Sequence, residues 1–260
     1  MKSVVEDIKK GSFKPVYLFY GEEAYLKQQY KNRLKNAVLP EGDTINLSIY
    51  SGKGIDVKEM IAQADTMPFF AEHRLLLIED SGFFKNANQQ LAEYIPSIPE
   101  ETIMLFVESE VDKRGKLYKA VSKKGSVVEF TAQNEQTLTR WILGILKTEG
   151  KMITSGAMKQ FLEKTGTDME RIRQELEKLI CYCMEKESIT EEDVAVICSE
   201  QTENKIFDMI NAMAEKKQKK AMELYYDLLA LKEPPMRILY LITRQFNLLM
   251  QVKELSEEGY

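Results

Sequence analysis

Three uninterrupted apolar runs, Pro15-Val16-Tyr17-Leu18-Phe19-Tyr20, Leu75-Leu76-Leu77-Ile78 and Ile103-Met104-Leu105-Phe106-Val107, set the first limit on what this chain can become. Each is too short for a helix and lacks the polar alternation of a strand with one wet face. Such runs belong to strands covered on both sides, as in a parallel sheet between helices. Two weaker strands join them: Thr44 to Tyr50, where Ile45, Leu47 and Ile49 alternate, and Val127-Val128-Glu129-Phe130. The stretches between have helical spacing. Val4, Val5 and Ile8 make a short opening helix stopped at Gly11, and a second helix runs from Gly21 through Tyr30 and Leu34 to about Val38. Val57, Met60, Ile61 and Ala64 share a face behind Asp56 and Glu59, which stand at capping-box spacing. Further helices fall near Gln89 to Tyr94 and in the charged stretch Glu108 to Val121. This alternation predicts an α/β fold over residues 1–135, an open and mostly parallel five-stranded sheet with right-handed crossovers.

Beyond residue 135 strands are expected to cease. Leu138, Trp141, Ile142, Ile145 and Leu146 mark one helix, and Met158, Phe161 and Leu162 another that ends near Gly166. Asp168 caps a third carrying Ile172, Leu176, Leu179, Ile180 and Cys183, and Thr190 with Asp193 caps a short fourth. After Thr202 come three more helical stretches, the last entered at Pro234-Pro235, where proline suits a first helical turn. The expected segments are therefore 1–135, 136–202 and 203–260, and the last looks incomplete.

Strand, Gly21, then helix is the context of a phosphate-binding loop, whose pattern is Gly, four residues, then Gly-Lys-Ser/Thr. Gly21 and Lys27 stand at the right separation, but Leu26 replaces the second glycine and Gln28 the hydroxyl that would hold magnesium. Glu22 and Glu23 add negative charge to an anion site, so phosphate binding is expected to be poor or absent. Glu79 and Asp80 end an apolar strand where a nucleotide hydrolase would hold magnesium and activate water. An active ATPase using Lys27, Glu79 and Asp80 is the enzyme alternative; a strand that simply stops at charged solvent is the other reading. No cofactor or metal is expected. Cys181-Tyr182-Cys183 lacks the spacing and second pair of a zinc site, and three cysteines read as buried thiols in a reducing cytoplasm. His73 is the single histidine, which precludes a relay of two, and beside Arg74 it reads as an ordinary surface residue. The balance of 36 basic against 41 acidic residues argues against holding nucleic acid by a global field. Lys113, Arg114, Lys116, Lys119, Lys123 and Lys124 form a local basic cluster, either a solvated helix face or a surface for DNA phosphates. No apolar signal segment and no membrane span are read.

Phe69 and Phe70 lie in the connector Thr66 to Arg74, between a helix and a strand that already have faces for the core. Pro68 is expected to end that helix. The two rings either serve as partner anchors at an exposed turn or tuck back under the sheet.

Several stretches, taken in order and spacing, resemble the delta subunit family of the bacterial DNA polymerase III clamp loader. They are Pro15 to Glu23 with Leu26, Met67-Pro68-Phe69-Phe70 with Arg74-Leu75-Leu76-Leu77, Asp112-Lys113-Arg114 with Leu117-Tyr118, and Glu175 to Leu179. Asn204 to Phe207 and Arg244-Gln245-Phe246 look similar too. The resemblance implies an AAA+-like sheet domain with a degenerate phosphate loop, a three-helix lid and an all-α collar for oligomerisation, here shorter than the family usually carries. It implies a binding role: opening the beta sliding clamp with a hydrophobic wedge at Met67, Pro68, Phe69 and Phe70, for loading onto primed DNA, while sister subunits of the gamma/tau and delta-prime type accompany it and ATP is hydrolysed elsewhere. No Ser-Arg-Cys arginine-finger motif is present, so the chain is not expected to complete a neighbour's ATP site.

Overall fold

The computed structural model of the protein describes residues 1–85, 88–199 and 202–257, with the side chains of residues 2, 202–204, 256 and 257 left aside. The chain divides into two compact units, Met1–Gln133 and Asn134–Tyr260. In the first, β1 (Val16–Tyr20), β2 (Leu47–Ser51), β3 (Arg74–Glu79), β4 (Thr102–Glu108) and β5 (Ser126–Glu129) form one sheet in the order β2-β3-β4-β1-β5, all neighbours parallel. β4 sits between β1 and β3.

The apolar runs are double-sided, as their continuity requires. Val16, Leu18, Leu76, Ile78, Met104 and Phe106 fill a core against α3 (Val57–Ala64), α4 (Gln89–Tyr94) and α5 (Lys116–Lys124). Tyr17, Phe19, Leu75, Leu77, Ile103 and Leu105 fill a second core against α1 (Lys2–Lys10) and α2 (Ala24–Val38). α1 stops at Gly11, which takes φ 64°, a left-handed value that glycine adopts without strain.

Several expectations need correction. β2 begins at Leu47, not Thr44, and Ile45 and Ile49 are exposed. The alternation is genuine, but β2 lies at the sheet's edge, where one face is only thinly covered. α3 ends at Ala64, four positions before Pro68. The donor that would continue the helix at the Ala64 carbonyl is residue 68, where proline has no N–H to give, and the Thr102 hydroxyl donates to that carbonyl instead, at 2.7 Å. Strands also do not cease at residue 135. β6 (Met152–Ile153) pairs in parallel with β7 (Ser188–Ile189), and a two-residue strand is too short to show a period of two.

The second unit is otherwise helical: α6 (Glu135–Thr148), α7 (Ser155–Thr165), α8 (Met169–Tyr182), α9 (Glu191–Ile197), α10 (Thr202–Ala214), α11 (Gln218–Ala230) and α12 (Pro235–Glu257). Asn134, Thr154 and Asp168 each accept a backbone N–H at the start of α6, α7 and α8. Asp193 accepts the Thr190 N–H at 2.9 Å in a capping box at α9. Ile206, Met209, Ile210, Leu228 and Ile238 make a separate small core within α10–α12. Residues 258–260 of the expected third segment lie outside the described residues. Among the described residues no helix is long and apolar enough to cross a membrane.

Candidate functional site

The connector between α3 and β3 carries the exposed aromatic pair. Met67 is 74% exposed, Phe69 57% and Phe70 95%, so the reading in which both rings tuck under the sheet is overturned. The rings meet edge to face, centroids 4.6 Å apart. Phe70 adopts φ 50°, a left-handed conformation that costs a side-chain-bearing residue about 1–2 kcal/mol. Presenting this much apolar surface to water is also unfavourable, by roughly 25 cal/mol per Å². Strain and exposure at one corner mark a contact surface more readily than a folding element.

What holds the corner is polar. The Asn46 side chain, 2% exposed, accepts the Phe69 N–H at 2.6 Å and donates to the Phe69 carbonyl at 3.0 Å. Arg74 donates through Nη2 to the Met67 carbonyl at 3.3 Å, while its Nε and Nη1 are buried without a partner. His73, expected at the surface, is half-buried with its ring edge-on to Phe13 at 5.7 Å. Asn46 went unnoticed in the sequence; its only sign was the Gly42-Asp43 turn just before it, where Asp43 accepts the Ile45 and Asn46 N–H groups.

The phosphate-like loop follows the C-terminal end of β1, whereas the aromatic corner precedes the N-terminal end of β3, so the two lie at opposite ends of the parallel strands. Three of the loop's amides are already used. Gly21 N–H donates to the Ser109 carbonyl, Glu23 N–H to the Phe130 carbonyl and Tyr25 N–H to the Glu23 carboxylate, at 3.1–3.2 Å. α2 starts at Ala24, so Leu26 is already inside the helix and packs toward the second core. Gln28 is exposed. Lys27 is nearly buried, its Nζ donates to the Glu108 carbonyl at 3.1 Å, and burial pulls its pKa down. Lys31, one turn on, pairs with Glu79 at 2.6 Å. Asp80 accepts from the Ser109 hydroxyl at 3.3 Å. Glu108 is buried, with Ser81 N–H, Ser81 hydroxyl and Gly82 N–H as donors, and burial raises its pKa. Lys27, Glu79 and Asp80 thus gather at the C-terminal ends of the parallel strands, but lysine and glutamate are committed to partners within the chain.

The basic cluster divides. Lys113 donates to both Glu129 oxygens at 3.1 and 2.9 Å, and that carboxylate raises its pKa; Arg114 pairs with Asp112 at 3.2 Å. Lys116, Lys119, Lys123 and Lys124 are exposed along α5. Among the described residues no group of three or more His, Cys, Asp or Glu is placed to hold a metal ion.

Comparison with known proteins bears on these features. The family model described as DNA polymerase III, delta subunit, matches residues 17–131, and that described as DNA polymerase III delta subunit, C-terminal domain, matches residues 203–260. DNA polymerase III subunit delta of Bacillus subtilis (strain 168) is 31% identical over 269 residues, spanning 99% of this chain and 78% of that protein. A probable DNA polymerase III subunit delta of Aquifex aeolicus (strain VF5) is 21% identical over 257 residues, spanning 94% of this chain and 72% of the relative. The solved structure of the Bacillus subtilis DNA clamp loader delta protein superposes with a TM-score of 0.72 at 31% identity, covering 100% of this chain and 80% of that one.

Proposed function

Because the chain belongs to the delta-subunit family of the DNA polymerase III clamp loader, we propose that it binds the ring-shaped beta sliding clamp through Met67, Pro68, Phe69 and Phe70 and opens it for loading onto primed DNA. The observation that carries this reading is the exposed aromatic pair on a strained corner. Two such rings, desolvated in a pocket, are the residue type that dominates binding energy in protein interfaces. Opening needs no chemistry from this chain, because a subunit that binds the open ring more tightly than the closed one shifts the ring toward opening.

In this reading the chain does not hydrolyse ATP. The occupied amides of Gly21, Glu23 and Tyr25, the helical Leu26 and the committed Lys27 and Glu79 support that view. Residues 1–135 serve as a degenerate AAA+-like domain, 136–202 as a helical lid and 203–260 as part of a collar that meets gamma/tau and delta-prime type subunits. The complex acts in the cytoplasm on primed DNA, with Lys116 and its neighbours on α5 as the basic face available to phosphates; Lys113 and Arg114 are less suited, being paired with Glu129 and Asp112.

The test is ring opening by the purified chain alone. A beta sliding clamp carrying a fluorescent pair across one subunit interface is mixed with the chain in the absence of nucleotide. Separation of the dyes at stoichiometric protein is expected. No separation, or separation only with ATP and magnesium, would sink the reading.

A further inference from the structure

We propose that Asn46 is a positioning residue for the clamp-binding corner, holding Phe69 and Phe70 in their bound shape before any partner arrives; this rests on the wedge reading above. The rings face water, so core packing cannot fix their backbone. What fixes it is a side-chain amide that pairs with both the N–H and the carbonyl of Phe69, as a neighbouring strand would. The amide is itself tightly held. Asn46 is 2% exposed, its Nδ2 also donates to Asp43 at 2.7 Å, its N–H donates to the other Asp43 oxygen at 3.0 Å, and its carbonyl accepts the Leu75 N–H at 2.8 Å. One residue at the mouth of β2 thus ties the connector, 23 positions away, to the sheet. The second tie, Arg74 to the Met67 carbonyl, is a single longer bond. A corner left free would have to be ordered on binding, at a cost in affinity.

The experiment measures affinity of the whole chain for a beta sliding clamp in Asn46→Ala, Asn46→Asp, Phe69→Ala and the combination of Asn46→Ala with Phe69→Ala, alongside thermal melts and hydrogen exchange of the Phe69 amide. Freeing one residue's backbone corresponds to roughly tenfold in affinity. Asn46→Ala is therefore expected to bind about tenfold more weakly and to exchange the Phe69 amide faster. Asn46→Asp keeps the acceptor but sets a carboxylate oxygen against Asp43 and the Phe69 carbonyl, so it should bind at least as weakly as Asn46→Ala; if neither variant folds, Asp43→Ala, which removes the partner that holds the amide, carries the test and should also weaken binding. Because the role runs through Phe69, the combined variant should lose less than the sum of the two single changes. Full additivity would mean a merely structural role and overturn the proposal. Weakened binding in Phe69→Ala with parental affinity in the folded Asn46 variants overturns the positioning role alone. Parental affinity in all of them overturns the wedge reading and the positioning role with it.

Discussion

Replacing Gly21 with alanine asks whether the phosphate-like loop is shut. Gly21 takes φ 119°, and a Cβ there would sit 2.2 Å from the Phe130 carbonyl oxygen and 2.9 Å from its carbon. Neither atom can yield, because both belong to backbone. To admit the methyl, the chain must part the seam where Phe130 N–H donates to the Tyr20 carbonyl at 2.7 Å and Glu23 N–H to the Phe130 carbonyl at 3.1 Å. Two such bonds contribute about 1–3 kcal/mol together, and the backbone conformation adds about 1–2 kcal/mol for a residue with a side chain. The sum is a loss of roughly 2–5 kcal/mol confined to the first unit. The single tryptophan, Trp141, lies in α6 of the second unit. Far-UV circular dichroism sums both units and tryptophan fluorescence reports the second, so urea unfolding followed by both isolates the first unit's share of the dichroism change. In Gly21→Ala that share should move to lower urea while the tryptophan transition stays. A dichroism midpoint equal to the parent's would refute the reasoning, since the loop could then leave Phe130 and its amides would be free for phosphate.

Other consequences are open to measurement. Labelled ATP with magnesium should show no saturable binding to the purified chain, and Lys27→Ala should leave the titration unchanged; tight binding abolished by that substitution would restore the ATPase alternative. Burial raises the Cys183 thiol and pushes Cys198 up to about 12, whereas Cys181, expected to be buried like the other two, is exposed, so a thiol reagent at neutral pH should label one cysteine quickly and the other two only on denaturation. Lys186 and the Thr190 N–H hold the Asp193 carboxyl at about 2. A depressed carboxylate contributes stability above its unfolded value, lost as pH falls through the folded one. Asp193→Asn should therefore lower the melting temperature at pH 7 and converge on the parent between about pH 4 and pH 2; equal melting temperatures at pH 7 would show that the pair contributes nothing.

The strands buried on both faces were legible because Leu75 to Ile78 and Ile103 to Val107 must be dry on each side, and no other element accepts such a run. Helix starts were legible where a cap residue stood before the apolar face, as at Asp56 and Asp168. The edge strand was read three residues too early at its start, and the alternation of Ile45, Leu47 and Ile49 said which residues share a side but not whether that side is covered. Phe69 and Phe70 were recognisable as a pair but not as exposed, since spacing in an irregular connector carries no face. Their anchors were hidden for another reason. Asn46 lies 23 residues from Phe69, and Lys31 reaches Glu79 across 48. Such pairings exist only once the sheet brings separate segments together. The same holds for the closed loop: Leu26 and Gln28 showed that its chemistry was degraded, but the carbonyls of Ser109 and Phe130 that occupy its amides are supplied by distant strands' ends.

The central claim is that Phe69 and Phe70 carry the binding of the clamp. The most direct test is the dissociation constant of the whole chain for a beta sliding clamp, measured for the parent and for the variant with Phe69→Ala and Phe70→Ala, both shown folded by their thermal melts. Anchor rings are typically worth about 2–4 kcal/mol each on truncation, so the variant should bind at least about a hundredfold more weakly. An affinity equal to the parent's would contradict the account.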